Sequence, residues 1–154
     1  MLCRFRRTIL LSAIVLFVTT AAWAQSNDRI DELLAQDPAA TDLTAYLVLS
    51  AAGLVGEDVE PGEAVDYAVS EGMLPTGAAG GDAVTFGRFS YLLTRSFDVP
   101  GGIMYRLAPG PRYAAREVVF QGWSRKRRDT GELLDGESVV RILSVYLNEQ
   151  GGAQ

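Results

Sequence analysis

The chain of 154 residues contains no histidine, and its only cysteine is Cys3. Without histidine it lacks the usual general base of serine and cysteine hydrolases and the commonest metal ligand. A single cysteine can form no internal disulfide. Cys3 also precedes an apolar run that we interpret below as part of a removable leader, so the mature chain would contain no cysteine, and zinc sites and thiol chemistry are effectively excluded. The composition therefore argues against an enzyme that uses a histidine, a thiol or a bound metal, and we expect no catalytic site and no cofactor.

Residues 1–24 show the order of features typical of a secretory signal peptide: three arginines, an apolar run at 9–18, and the small-residue sequence Ala22-Trp23-Ala24. We expect cleavage before Gln25 and export to the periplasm or the cell exterior. The rival interpretation is an uncleaved membrane anchor, but the apolar run is shorter than the roughly 20 residues of a spanning helix. The mature chain is then predicted to contain no transmembrane span.

Removal of this leader would leave an acidic chain with 11 basic and 19 acidic residues. The charge is uneven, because residues 28–82 hold 12 acids and one arginine, whereas residues 83–154 hold 7 acids and 10 basic residues. Such polarity can steer a charged partner or favour head-to-tail contact, although a lopsided solvated surface explains it equally well. Export and the acidic total both argue against a nucleic-acid partner.

Caps and apolar spacings along the mature chain predict helices, so the expected fold class is all-α. Residues 25–40 should form an N-terminal helix and a linker, with the helix over residues 25–37 and stopped by Pro38. Thr41 should cap a second, more apolar helix near the middle of the bundle. The polar residues 149–154 are expected to form a flexible tail.

Two segments, 51–100 and 101–150, share the same helix boundaries fifty residues apart. The shared features are a first-turn proline, a terminating glycine and the cap of the next helix, at Pro61 and Pro111, Gly72 and Gly122, and Thr85 and Asp135. Thr41 resembles the same cap a third time, 44 residues before Thr85. We predict short helix-loop-helix repeats packed as a compact bundle over residues 41–148; the alternative is a non-repetitive six-helix bundle that reuses common caps.

Two motifs of this repeat resemble the S-layer homology (SLH) repeat. Glu71-Gly72-Met73-Leu74 is similar to its turn, and Val84-Thr85-Phe86-Gly87-Arg88-Phe89 is similar to its helix start, with a hydrophobic residue, a threonine and a phenylalanine in place. Residues 121–123 and 134–139 are further from the same pattern. The resemblance implies a compact helical array that resides in the cell envelope.

The chain departs from that family at the positions that bind sugar. In SLH domains an arginine and a glutamate of the helix start help to form a pocket for cell-wall polysaccharide. Phe86 and Arg88 stand at these positions in the first unit, and Gly136 and Ser138 stand there in the second. The resemblance therefore implies the fold but not the family's glycan-binding residues.

Carboxylates form one dense cluster, at Glu57, Asp58, Glu60, Glu63 and Asp66. These are the candidates for a carboxylate-based hydrolase, which is the least favoured function. The cluster lies at a predicted helix N-terminus, where negative charge complements the helix dipole, and this simpler explanation is favoured. The glycine-rich loop at 77–82 lacks the lysine and the preceding strand of a phosphate-binding loop.

The sharpest single feature is the basic run Arg125-Lys126-Arg127-Arg128, with Arg112 and Arg116 nearby in the predicted repeat. These six residues are candidates for binding an anionic partner, although blocks of like charge often simply face water. The predicted function is that of a non-catalytic, exported cell-envelope protein that acts as a structural or protein-interaction module. The alternative is binding of an anionic envelope glycan or lipid through the basic loop. The oligomeric state stays open.

Overall fold

The computed structural model describes residues 27–152, so the predicted signal peptide at 1–24 lies outside the described residues. Within residues 27–152 the chain forms seven helices and no strand, which confirms the all-α prediction for this part of the molecule. The helices are α1 (27–34), α2 (Thr41–Ala51), α3 (Pro61–Ser70), α4 (Phe86–Ser96), α5 (Ile103–Leu107), α6 (Pro111–Phe120) and α7 (Gly136–Gly151).

The start of α2 differs from the prediction by one residue. Ala40 is the N-cap, in extended conformation, and Thr41 is the first helical residue. The Thr41 hydroxyl donates instead to the carbonyl oxygen of Asp82 at 2.8 Å. The prediction that Thr41 is the N-cap of α2 was therefore wrong, because the Thr41 hydroxyl bonds Asp82, which lies in a loop distant in sequence. Helix α2 therefore begins 45 residues before α4, whereas the two predicted caps, Thr41 and Thr85, are 44 residues apart.

The later helix boundaries recur at the predicted spacing. Helices α3 and α6 both begin at a proline and have ten residues each. Gly72 and Gly122, just beyond them, have φ angles of 67° and 82°, the left-handed region that glycine adopts without strain. Thr85 Oγ1 accepts a hydrogen bond from Arg88 N at 3.3 Å, and Asp135 Oδ1 accepts one from Ser138 N at 2.7 Å, so both predicted caps are confirmed.

A closed ring of backbone hydrogen bonds joins the residues that lie two positions before α2, α4 and α7. Ala39 N donates to Leu134 O at 2.7 Å, Val84 N donates to Ala39 O at 2.9 Å, and Leu134 N donates to Val84 O at 3.0 Å. All three side chains are at most 1% exposed. The starts of these three helices therefore meet in the interior in a pseudo-threefold arrangement, and each contacts both others.

The first residue of each of these helices also bonds a loop of another unit. Thr41 N donates to Asp82 O, Phe86 N to Glu132 O, and Gly136 N to Gln36 O, at 2.8 to 3.0 Å. These amides have no partner inside their own helices, so the neighbouring loop satisfies them. The approach is closest at Gly136, where a Cβ atom would overlap the carbonyl oxygen of Leu33. Glycine is therefore required there for space.

A single core surrounds the ring, and α4 contributes the fully buried side chains of Phe86, Phe89 and Leu93 to it. Helix α7 continues to Gly151 and so extends into the predicted tail at 149–154. Its last turn is tied to the body of the molecule, because the indole Nε1 of Trp123 donates to Glu149 Oε2 at 2.6 Å.

Candidate functional site

Helix α6 presents two of the predicted basic residues, Arg112 and Arg116, on one exposed face. They are four residues apart, so their side chains emerge one helical turn from each other. The Arg116 guanidinium lies 5.7 Å from the centre of the Tyr113 ring, within cation–π range. Pro111 fixes the start of the helix, where its missing N–H would have had no intrahelical partner.

The basic loop folds back along α6 after Trp123. The Trp123 side chain is 4% exposed and packs edge-on against Tyr146, with 4.7 Å between ring centres. Ser124 Oγ then donates to Lys126 O at 2.7 Å, which closes a tight turn. The buried tryptophan and this turn place the following arginine, Arg127, opposite α6.

An open groove of about 630 Å³ lies between α6 and this loop. Its lining consists of Arg112, Ala115, Arg116, Val119, Phe120, Arg127, Arg128, Asp129 and Thr130. We call it the basic groove, after its three exposed arginines, Arg112, Arg116 and Arg127. The structure thus brings these three residues together, as a shared anion-binding role requires.

Arg128 belongs to the groove wall but its charge is already engaged. Its side chain is 12% exposed, and its guanidinium contacts Glu132 Oε1 at 2.6 Å and donates to Ser138 Oγ at 2.8 Å. Partial burial acts to raise the pKa of Glu132, but the charges of Arg128 and Lys126 outweigh it and hold that pKa below its usual value. Arg128 therefore connects the basic loop to α7.

Arg125 and Lys126 do not line the basic groove. With Arg128 and Arg141 they line a second groove of about 400 Å³ between the loop and α7, together with Trp123, Ser124, Ile142 and Val145. Lys126 Nζ lies 3.4 Å from Glu132 Oε1, and Arg141 pairs with Glu137 at 3.2 Å. The predicted set of six residues is therefore divided between two grooves, and the prediction did not include Arg141.

The equivalent face of the preceding unit has no basic residue. At the repeat spacing of fifty residues, Arg112, Arg116 and Arg127 correspond to Gly62, Asp66 and Gly77. Helix α3 and its following turn nevertheless have the same backbone hydrogen bonds as α6 and its turn, with Met73 N bonded to Ala68 O where Trp123 N bonds Val118 O. The fold itself therefore does not require arginine at these positions.

The acidic cluster around the start of α3 does not line a groove of this kind. Glu57, Asp58, Glu60 and Glu63 are all exposed, and Glu60 pairs with Arg29 at 3.3 Å. Arg29 also lies over the Tyr46 ring, 4.3 Å from its centre, and donates to Val59 O, so it ties α1 to this loop. Among residues 27–152, no three histidine, cysteine, aspartate or glutamate side chains are grouped to hold a metal ion.

None of the helices in residues 27–152, from α1 to α7, has the length and apolar character needed to cross a bilayer. The chain has no match among protein-family models, curated proteins or solved structures.

Proposed function

We propose that this protein is a non-catalytic, exported module of the cell envelope that binds an anionic partner in the basic groove. The observation that carries the proposal is the convergence of Arg112, Arg116 and Arg127 around one open groove. The proposal includes the resemblance to S-layer homology repeats, for which the supporting feature is the recurrence, at fifty residues, of the first-turn proline, the terminating glycine and the cap of the next helix.

Arginine suits this role because the planar guanidinium donates parallel hydrogen bonds to a phosphate or carboxylate group. Three such groups around one groove attract an anion more strongly than isolated surface charges do, since the groove walls exclude part of the solvent. The ligand chemistry is therefore a phosphate or carboxylate group of an envelope glycan or lipid. Binding should weaken as salt concentration rises.

Two triple variants test the proposal with matched changes in charge. R112A/R116A/R127A removes the exposed cations of the basic groove, whereas R125A/K126A/R141A removes three cations from the second groove. Arg128 is left in place because its contacts with Glu132 and Ser138 are structural. Far-UV circular dichroism and thermal melting verify that both variants fold.

The binding probe is soluble polyphosphate, measured by isothermal titration calorimetry at low and at physiological salt. We expect the basic-groove variant to bind at least about tenfold more weakly, because one lost charge-assisted hydrogen bond is worth about 1.5 to 3 kcal/mol. The second-groove variant should bind nearly as tightly as the wild type. Equal loss in both variants would indicate non-specific attraction and would contradict the assignment of the groove.

A further inference from the structure

The four most exposed large apolar side chains among residues 27–152 all belong to residues 99–128. Ile103, Met104 and Leu107 of α5 are 75%, 62% and 76% exposed, and Phe120 at the end of α6 is 84% exposed. The remaining exposed large apolar residues of this part of the chain are only 37% to 52% exposed. Large apolar side chains that are this exposed and concentrated in one segment of the chain are typical of an interaction surface.

Helix α5 is held with its apolar residues facing outward. Tyr105 is buried, and its hydroxyl is 2.9 Å from Thr94 Oγ1 of α4. Gly102 N, at the start of α5, bonds Glu117 Oε2 of α6 at 3.0 Å. These two contacts fix the short helix beside the part of α6 that carries Arg116 and Phe120. We call Ile103, Met104, Leu107 and Phe120 the apolar patch.

The same segment is strongly basic and presents no exposed carboxylate. Residues 99–128 contain seven basic residues and one acid, Glu117. Glu117 is 9% exposed, and it accepts hydrogen bonds from Gly102 N and from Gln121 Nε2 at 2.9 Å. A negatively charged surface that approaches this segment therefore meets mainly arginine and lysine, and the exposed carboxylates nearest in sequence, Asp98 and Asp129, lie at its two ends.

We propose that the anionic partner of the basic groove is the surface of a lipid membrane that contains anionic headgroups, with the apolar patch inserted at the boundary of headgroups and acyl chains. A soluble anionic glycan would account for the arginines but would leave four large apolar side chains in water. A lipid surface accounts for both, since apolar side chains enter the interface while cations bind the headgroups. This inference rests on the proposed function.

The first test measures co-sedimentation with vesicles of phosphatidylcholine, with or without phosphatidylglycerol, using the processed protein from cells that express the full chain. I103S/M104S/L107S removes most of the apolar patch, and L34S/L54S/L147S is its control at less exposed positions elsewhere. We expect the patch variant to lose at least about tenfold in vesicle partitioning while it still binds polyphosphate, as each lost apolar contact lowers partitioning. The control variant should keep both vesicle partitioning and polyphosphate binding.

The outcomes separate the two proposals. Polyphosphate binding that depends on Arg112, Arg116 and Arg127, without any binding to anionic vesicles, would overturn the membrane inference and leave the proposed function standing; a soluble glycan or a protein would then be the partner. Vesicle binding that depends on the apolar patch but not on these arginines would overturn the proposal that the basic groove binds the anionic partner. Equal partitioning of the patch variant and the wild type would also overturn the inference.

A second test reports insertion directly, through quenching of tryptophan fluorescence by brominated phospholipids. Met104→Trp places a probe in the apolar patch, and Leu34→Trp places one on α1 as a control. Trp123 is buried, so it contributes a constant background. We expect quenching of the probe at 104 and not of the probe at 34. Equal quenching of the two probes, or none, contradicts insertion through α5.

Discussion

Arg127 and Arg128 are neighbours in the sequence, but their surroundings give them different roles. Arg127 is exposed in the basic groove, whereas Arg128 is largely buried against Glu132 and Ser138. The basic run at 125–128 does not by itself predict this difference, because the partners of Arg128, Glu132 and Ser138, lie outside the run. A charge pattern thus predicts where cations concentrate, but not which of them remain available.

Asp135 allows a residue-scale prediction about pH. Asp135→Ala is expected to lower the free energy of unfolding by about 1 kcal/mol at neutral pH, because the side chain caps α7. The hydrogen bond with Ser138 holds the pKa of Asp135 below its usual value, although partial burial opposes this effect. A lowered folded-state pKa stabilises the protein above the unfolded-state pKa, and this contribution is lost as pH falls through the folded-state pKa.

The difference between wild type and Asp135→Ala should therefore be constant near neutrality and shrink below about pH 4. Denaturant unfolding at a series of pH values measures it. Asp135→Asn is the control, since asparagine caps a helix without titrating in this range. A difference that keeps its full size in strong acid would show that the carboxylate charge has no part in the cap.

Helices α4 and α7 occupy equivalent positions, and they bury equivalent residues. Leu93 and Leu143 lie at the same position of their units and are 0% and 4% exposed. Leu93→Ala and Leu143→Ala are each expected to cost about 2 to 4 kcal/mol, the usual range for a truncated buried leucine. Chemical denaturation measures both, with Leu147→Ala as a control at a position that is 39% exposed. Near-neutral values for both buried positions would contradict the equivalence.

Most elements were predictable from local chemistry, because prolines, glycines and capping side chains act on their own helix. The boundaries of α3 and α6 and the caps Thr85 and Asp135 follow from such signals. Thr41 was assigned wrongly because its partner, Asp82, is distant in sequence. For the same reason the basic groove was predictable as a set of residues but not as a geometry. The apolar face of α5 was not predicted, because a helix of five residues is too short to show the helical spacing of apolar residues.

At the scale of the whole molecule, the packing of Gly136 against α1 controls how the units close. Gly136→Ala is expected to destabilise the protein by about 1 to 3 kcal/mol or more, because the new methyl group would overlap the backbone of Leu33. Gly131→Ala is the control, since its added Cβ would have no heavy atom within 4 Å apart from those of its own residue and its two chain neighbours. Thermal unfolding of both variants measures the effect. Equal stability of the two would show that the close approach is not restrictive.

The backbone ring of Ala39, Val84 and Leu134 also bears on how the protein is made. Its bonds connect residues that are 45, 50 and 95 positions apart, so two long loops must close before it forms. A ribosome must therefore have synthesised most of the chain before the ring can close. The ring therefore stays open for most of the synthesis of the chain. A chain whose ring is open is not yet locked in its final fold, which favours passage through a narrow translocation channel if the leader predicted at 1–24 directs it there.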